Sequence, residues 1–420
     1  MMLLAVVLFV AALAVIASER VDRTKVALLG AVLVVLTQTI DQEAAIEAID
    51  WNTLGLLAGM MLMVKITEPT GVYTWLAIRA GQLSKGRPLA IVVSLATTTA
   101  LLSAFLDNLT TVLLMVPITF LLADALDIDP LPLVIIEILV SNIGGTATLI
   151  GDPPNILIAG ATGLSFGAFI VNLAPIAALT FVVVTTGLYL VYRKRLQVAP
   201  EARDRVMQLD ARRSIEDMAE LKRTVPILLG TIALFFAHQA LHLEPATVAL
   251  TGATVMLLIS RQPLERSLAG IEWPTLFFFI GLFVMVGALE ETGAIDEVAN
   301  GIASLTAGNR TAELLGITWV SAIGSGIVDN IPFTAAMIPV VDELQAGNDG
   351  DNAYWWALAL GACFGGNATL IAAAANVAAA GMAARAGQPI GFMTFLRVGL
   401  PVTLVSMLLA TAYILLRYIA

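Results

Sequence analysis

Long runs of this chain are apolar on every face of a helix rather than along one stripe. Leu3–Ile16, Val26–Leu36, Leu54–Val64, Ile170–Val191 and Ile227–Ala237 carry no charged residue. A helix that is hydrophobic all round belongs in a core or a membrane. Several runs fall short of the roughly 20 residues that span a bilayer upright, but their number predicts a polytopic membrane protein. The pattern then changes character. Ala90–Leu106 and Leu109–Ala123 are two short apolar segments flanking a polar Asp107-Asn108. As helices each would be about 22–25 Å long, so together they predict a re-entrant hairpin with residues 107–110 at its tip. Next comes an apolar span, 131–160, interrupted between Gly144 and Asn155 by GGTATLIGDPPN.

The pattern occurs twice. Asp50-Trp51 answers Glu272-Trp273, Gly59 answers Gly281, Asp107-Asn108 answers Asp329-Asn330 and Pro117 answers Pro339, each pair 222 residues apart. The segments NIGGTATLIGDPPN and CFGGNATLIAAAAN follow at 221, as do Asn155/Asn376 and Gly160/Gly381. Residues 1–192 therefore form one unit. Residues 224–420 form a second, with a hairpin tip at 329–332 and a broken helix over 355–382. The charged stretch Arg193–Arg223 links them.

Three plain spans, one interrupted span and one long final span make five crossings per unit. Five is odd, so the second unit is inverted relative to the first. With the linker cytoplasmic, 20 of the 22 Lys and Arg residues fall on that side, and Arg310 and Arg417 are the exceptions. Asp41, Glu43, Glu47, Glu290, Glu291, Asp349 and Asp351 fall on the other side, together with both termini. That bias is the one the positive-inside rule requires. The expected fold is an all-α polytopic membrane protein of two inverted repeats of five transmembrane helices, each with a re-entrant hairpin and a broken helix.

Composition agrees. The chain has 59% hydrophobic and 13% charged residues, against about 25% charged in soluble domains, and a mean hydropathy of +0.90. The N-terminus has no basic region and no clean cleavage site, so Met2–Ala17 is expected to stay as a first span in a multi-pass protein of the inner (plasma) membrane. A formal charge of −10 gives no reason to expect a nucleic-acid partner. One cysteine, Cys363, excludes an intramolecular disulfide and a cysteine-clustered metal site. His238 and His242, at i and i+4, lack a third zinc ligand nearby. No cofactor is expected.

Irregular backbone at membrane depth is tolerated only where protein or water surrounds it. Gly144-Gly145 and Gly365-Gly366 are read as freeing the chain from helical dihedrals, and Pro153-Pro154 as ending a helix. Paired discontinuous helices in inverted-repeat transporters place the substrate site near the midplane. Each repeat is thus expected to contribute half of one site, where Asn108, Asn142, Gly144, Gly145, Thr146, Thr148, Asn155, Asn330, Gly365, Gly366, Asn367, Thr369 and Asn376 converge. Small-residue helix contacts alone would explain the glycines but not the matched asparagines.

Four acids lie in apolar surroundings, where a charge costs about 2.5–3.5 kcal/mol or more. Asp107, Asp152 and Asp329 are the expected proton-coupling groups. Asp107 and Asp329 sit at equivalent tips, where helix capping would also use them. Asp152 is asymmetric, with Ala373 at the matching position, and Glu137 is the weaker candidate. No Lys or Arg falls in a broken span or hairpin tip, which favours a cation or neutral polar solute over an anion. Cys363 would suit a thiophilic solute, although a lone buried Cys is more often a small hydrophobe. A channel would need a continuous polar pore, and an enzyme a nucleophile and base. Neither is visible.

DNLTT at Asp107–Thr111, SNIGGTATLIGDPPNILI at Ser141–Ile158 and DNIPFTAAMIPV at Asp329–Val340 resemble the ArsB/NhaD/P-protein branch of the ion transporter superfamily. The resemblance spans nearly the whole chain. It implies secondary active transport without an ATP site in this chain, and no Gly-x-x-x-x-Gly-Lys-[Ser/Thr] is present. Within the branch it implies arsenite or antimonite efflux coupled to proton entry, with sodium/proton antiport as the alternative and a carboxylate or other anion permease as a lesser one. A soluble ATPase partner is compatible with it. Dicarboxylate-carrying relatives place Ser-Asn-Thr at the tips, whereas this chain has Asp-Asn-Leu-Thr and Asp-Asn-Ile-Pro.

Overall fold

Aspartates start several of the helices. Asp22, Asp50 and Asp107 each precede a helix and accept hydrogen bonds from its first free N–H groups, which otherwise have no partner. The computed structural model describes residues 1–18, 20–306, 308–346 and 350–419, the side chains of 200 and 303 aside. Asp349, expected on the side opposite the linker, lies outside the described residues.

The chain begins with α1 (Met2–Ala17), α2 (Arg23–Leu36), a short α3 (Gln42–Glu47) and α4 (Trp51–Thr67). After α5 (Val72–Leu83) comes the hairpin of α6 (Pro88–Phe105) and α7 (Asn108–Leu126). The broken pair α8 (Leu131–Gly145) and α9 (Pro153–Thr162) and the long α10 (Phe166–Tyr192) complete the first unit. The linker carries α11 (Pro200–Gln208). The second unit runs α12 (Met218–Ala237), α13 (Pro245–Ile259), α14 (Leu264–Ala269), α15 (Trp273–Glu291) and α16 (Ala294–Thr306). It continues with the hairpin α17 (Arg310–Ile327) and α18 (Asn330–Ala346), the broken pair α19 (Ala353–Gly365) and α20 (Ala374–Arg385), and α21 (Phe392–Ile414). Each helix from α2 to α8 starts 222 residues before its counterpart among α13 to α19, and α9 starts 221 before α20. The offset read from single residues is thus an offset of whole elements.

Among the described residues six helices are long and apolar enough to cross a membrane, and α1, α8, α13 and α19 are shorter apolar helices. The outer surface is rich in aliphatic side chains, among them Leu3, Val191, Leu258 and Leu408. Water would penalise such a surface, whereas lipid matches it. This is a multi-pass membrane protein. The tips are tighter than four residues, because α7 and α18 begin at Asn108 and Asn330, directly after the capping aspartates. The sequence pattern missed α3, α5, α14 and α16, short helices between the third crossing and the spans around it.

The helices pack as two groups. In one, α4 lies on α13 and α15 on α2. Their contacts are reciprocal: a Cβ on Gly59 would come 2.7 Å from the Ala249 carbonyl carbon, and one on Gly281 2.6 Å from that of Ala27. In the other group each hairpin packs on its own broken helix, α6 on α8 and α17 on α19. Each hairpin's second helix also crosses to the other unit, α7 onto α20 and α18 onto α9. Both repeats therefore enclose one central region. The end of the molecule bearing the linker is fixed by Glu216, whose N–H bonds the Thr70 carbonyl just past α4.

Candidate functional site

The two broken helices are held open by matching bonds. Ser103 donates to the Ser141 carbonyl at 2.6 Å and Ser325 to that of Ala362 at 2.7 Å. Thr148 bonds the Ala104 carbonyl, and Thr369 that of Gly326. These hydroxyls tie each broken segment to its own hairpin. Inside each break an asparagine amide replaces the missing helical donors. Asn155 Nδ2 donates to the carbonyls of Thr146 (3.1 Å) and Thr148 (2.8 Å). Asn376 Nδ2 donates to those of Gly366 (2.7 Å) and Thr369 (3.0 Å).

The Gly-Gly pairs act differently from the sequence expectation. They do not free the chain from helical geometry: α8 runs through Gly145, α19 runs through Gly365, and the break follows them. None of the four has a positive φ. Their role is close approach. A Cβ on Gly144 would lie 2.3 Å from the Ala100 carbonyl oxygen, and one on Gly365 2.6 Å from that of Ala322.

At the centre the two halves join in one hydrogen-bond network. Asn142 Nδ2 reaches across to Asn367 Oδ1 (2.9 Å) and Asn376 Oδ1 (3.0 Å), and Asn367 Nδ2 to the Leu139 carbonyl (3.1 Å). Cys363, 221 residues after Asn142, makes the matching contact, its Sγ lying 3.6 Å from Asn155 Oδ1. Asn108 Nδ2 donates to Asn142 Oδ1 (2.9 Å) and to Asp152 Oδ1 (3.1 Å). Asn330 Nδ2 donates to the same Asp152 Oδ1 at 3.1 Å. One buried carboxylate oxygen is therefore clamped by both hairpin tips. Its partner, Oδ2, is buried without an N–H or O–H donor among the described residues, and the Cys363 thiol adjoins the carboxyl group. Thr146 bonds back to the Asn142 carbonyl within its own helix.

At the tips both aspartates are engaged. Asp107 accepts from the Thr110 N–H (2.7 Å) and the Thr110 hydroxyl (2.5 Å). Asp329 accepts from the Ile331 N–H (2.9 Å), and its other oxygen pairs with Arg23 at 2.9 Å. Glu137 Oε1 takes a 2.5 Å hydrogen bond from Thr119 while its Oε2 is buried without a partner among the described residues, and Val341 and Ala359 stand at the matching positions of the second unit. His238 is tied to the Phe166 N–H and the Leu243 carbonyl.

No Lys or Arg lies within a broken span or hairpin tip, but Arg23 reaches the second tip from the start of α2. It lies 306 residues before Asp329, and its guanidinium rests on the Phe278 ring at 5.0 Å from the centroid. Arg23 and Glu272 line a space of about 30 Å³ with Asp107, Asn108 and Asn330. A groove of about 480 Å³ at the same, linker-bearing end reaches Arg23 and Asp329. The cavity at the opposite end, about 340 Å³, includes Asp50 and Gly160 but touches neither tip asparagine. Asp107, Asp329 and Glu272 thus surround one guanidinium, and Asp107 and Asp329 also stand close enough to Asp152 for their charges to act on it.

The family model described as CitMHS, citrate transporter, matches residues 13–361. A Mycobacterium tuberculosis protein named as an uncharacterized transporter is 44% identical over 425 residues, covering 100% of this chain and 99% of its own. The P protein of Homo sapiens is 32% identical over 493 residues, covering 97% of this chain but 59% of its own length. The crystal structure of the Alcanivorax borkumensis YdaH transporter matches with a TM-score of 0.61 at 17% identity, covering 98% of this chain and 97% of that one. Its fold is shared.

Proposed function

We propose proton-coupled antiport of a small monovalent cation, sodium foremost, for this chain, which belongs to the citrate transporter (CitMHS) family and is a membrane transporter. The observation that carries the reading is Asp152: one oxygen is fixed by Asn108 and Asn330 from both hairpin tips, and the other is buried without an N–H or O–H donor among the described residues. The fixed oxygen stays an acceptor in either protonation state, so the bare one alternates between a proton and a cation. Charge inside a membrane has to be neutralised before the site can cross it, and either occupant neutralises Asp152. Asp107 and Asp329 are assigned to tip capping and to the ion pair with Arg23 rather than to proton carriage.

Arsenite or antimonite efflux against proton entry is the second reading, favoured by one observation: the Cys363 thiol adjoins Asp152. Against it, Cys363 fills the structural place of Asn142's amide, and the sequence holds no second thiol to help hold arsenic. The citrate named by the family description would meet four carboxylates and a single Arg23, which is already paired.

Proteoliposomes carrying an imposed pH gradient and a trapped pH dye test the proposal. Added sodium, or another monovalent cation, is expected to dissipate the gradient with the wild type and not with Asp152→Asn. Dissipation by arsenite alone would move the assignment to the second reading. Citrate uptake with no response to any monovalent cation would overturn both.

A further inference from the structure

The pseudo-symmetry between the units is broken at one pair of contacts. At the end opposite the linker, Asp50 and Thr53 of α4 close over Gly160 of α9. A Cβ there would stand 1.9 Å from Asp50 Oδ2 and 2.6 Å from Thr53 Oγ1, and Thr53 also bonds the Ile156 carbonyl at 3.4 Å. Gly160 has to be glycine for this contact to form.

The counterparts are Glu272 and Thr275 of α15, 222 residues on, and Gly381 of α20, 221 on. They do not meet. Around Gly381 the nearest heavy atom to a Cβ would be Arg385 Nη1 at 3.7 Å, and no atom of Glu272 or Thr275 comes within 4 Å. Glu272 and Thr275 instead bond each other at 3.3 Å and line the space at the hairpin tips. The helix packing repeats the asymmetry: α4 rests on α9 and α15 on α18, while no comparable packing joins α15 to α20 or α4 to α7. Gly381 thus sits, small and uncrowded, where this conformation gives no reason for a glycine.

We infer that Gly381 is the landing point for Glu272 and Thr275 in a second conformation, in which Asp50 and Thr53 release Gly160 and the linker-end groove closes. The two sets of residues are positioning groups for transport, one closed here and one poised. The reason is energetic. An inverted repeat gives the two ends nearly equal contacts, so the conformation related by the pseudo-two-fold axis lies close in energy and needs the same room at the same place. A Cβ at Gly381 meets only the flexible end of Arg385 in the conformation seen here and blocks the other. The inference does not depend on which solute is carried.

Two variants test it in membranes. Glu272→Cys/Gly381→Cys is expected to form a disulfide under mild oxidation, at least tenfold faster than either cysteine pairs with the buried Cys363 in single-variant controls. Gly381→Leu is expected to fold like the wild type, lose transport at least tenfold, and raise the labelling rate of a reporter cysteine, Ile371→Cys, in the linker-end groove. Gly381→Ala should regain part of both wild-type values, which a general packing defect would not predict. No disulfide, together with wild-type labelling and transport in Gly381→Leu, would overturn the inference. Because the disulfide and labelling readouts need no cargo, they fail or succeed independently of the proposed cation exchange.

Discussion

At the residue scale, the account rests on one carboxylate and the amides that hold it. Asn108→Ala and Asn330→Ala each remove one 3.1 Å bond to Asp152. A hydrogen bond to a charged group contributes about 1.5–3 kcal/mol, so each variant is expected to weaken apparent cation affinity by roughly 10- to 100-fold, read as the half-saturating sodium concentration for exchange. Asp107→Asn should do less, because both of its oxygens serve Thr110. If Asp107→Asn abolished exchange while Asp152→Asn did not, the roles would be reversed. Competition also fixes the sign of the pH dependence: more protons at the cation-loading face mean less cation bound, so half-saturation should rise as that face is acidified. The asymmetry of Asp152 against Ala373 was legible in the sequence. The clamp on it was not, because Asn108 and Asn330 stand 44 and 178 residues away along the chain.

At the element scale, the repeats and the broken helices were legible because their polar and glycine punctuation keeps a fixed spacing. What the glycines do was misread. They precede the break and let α8 and α19 press on α6 and α17, so the pattern of Gly-Gly before a loop marks close packing here, not unwinding. Gly144→Ala and Gly365→Ala should each destabilise by about 1–3 kcal/mol, the cost of forcing an extra group into a filled core. Gly187→Ala and Gly316→Ala are the controls, with nothing within 4 Å of the added group, and should be neutral or gain up to about 1 kcal/mol as helix formers. Thermal unfolding in detergent separates the two pairs, and equal shifts in all four would contradict the packing argument. Asn155→Ala and Asn376→Ala each strip two carbonyls of their donor and should lower stability by a similar amount for each carbonyl left bare.

At the scale of the whole molecule, one hydrogen-bond network is made from both units, and the groove at the end bearing the linker reaches Asp329 at its edge. The ion pair of Arg23 with Asp329 joins the two packed groups across that groove. No pattern in the sequence could supply it, since its partners are 306 residues apart and Arg23 reads as an ordinary positive charge before a span. Arg23→Gln should shift the balance between conformations rather than remove binding, changing the maximal exchange rate more than the half-saturating concentration. Equal changes in both would point to a direct contact with the cargo.

The central claim is that a proton and a cation compete for Asp152. Proton release from purified protein in weakly buffered detergent tests it without transport, membrane sidedness or coupling entering the result. Titrating sodium into the wild type should release close to one proton per chain, saturably, and Asp152→Asn should release none while remaining folded. Release of the same size from Asp152→Asn, or none from the wild type with sodium or any other monovalent cation, would contradict the account.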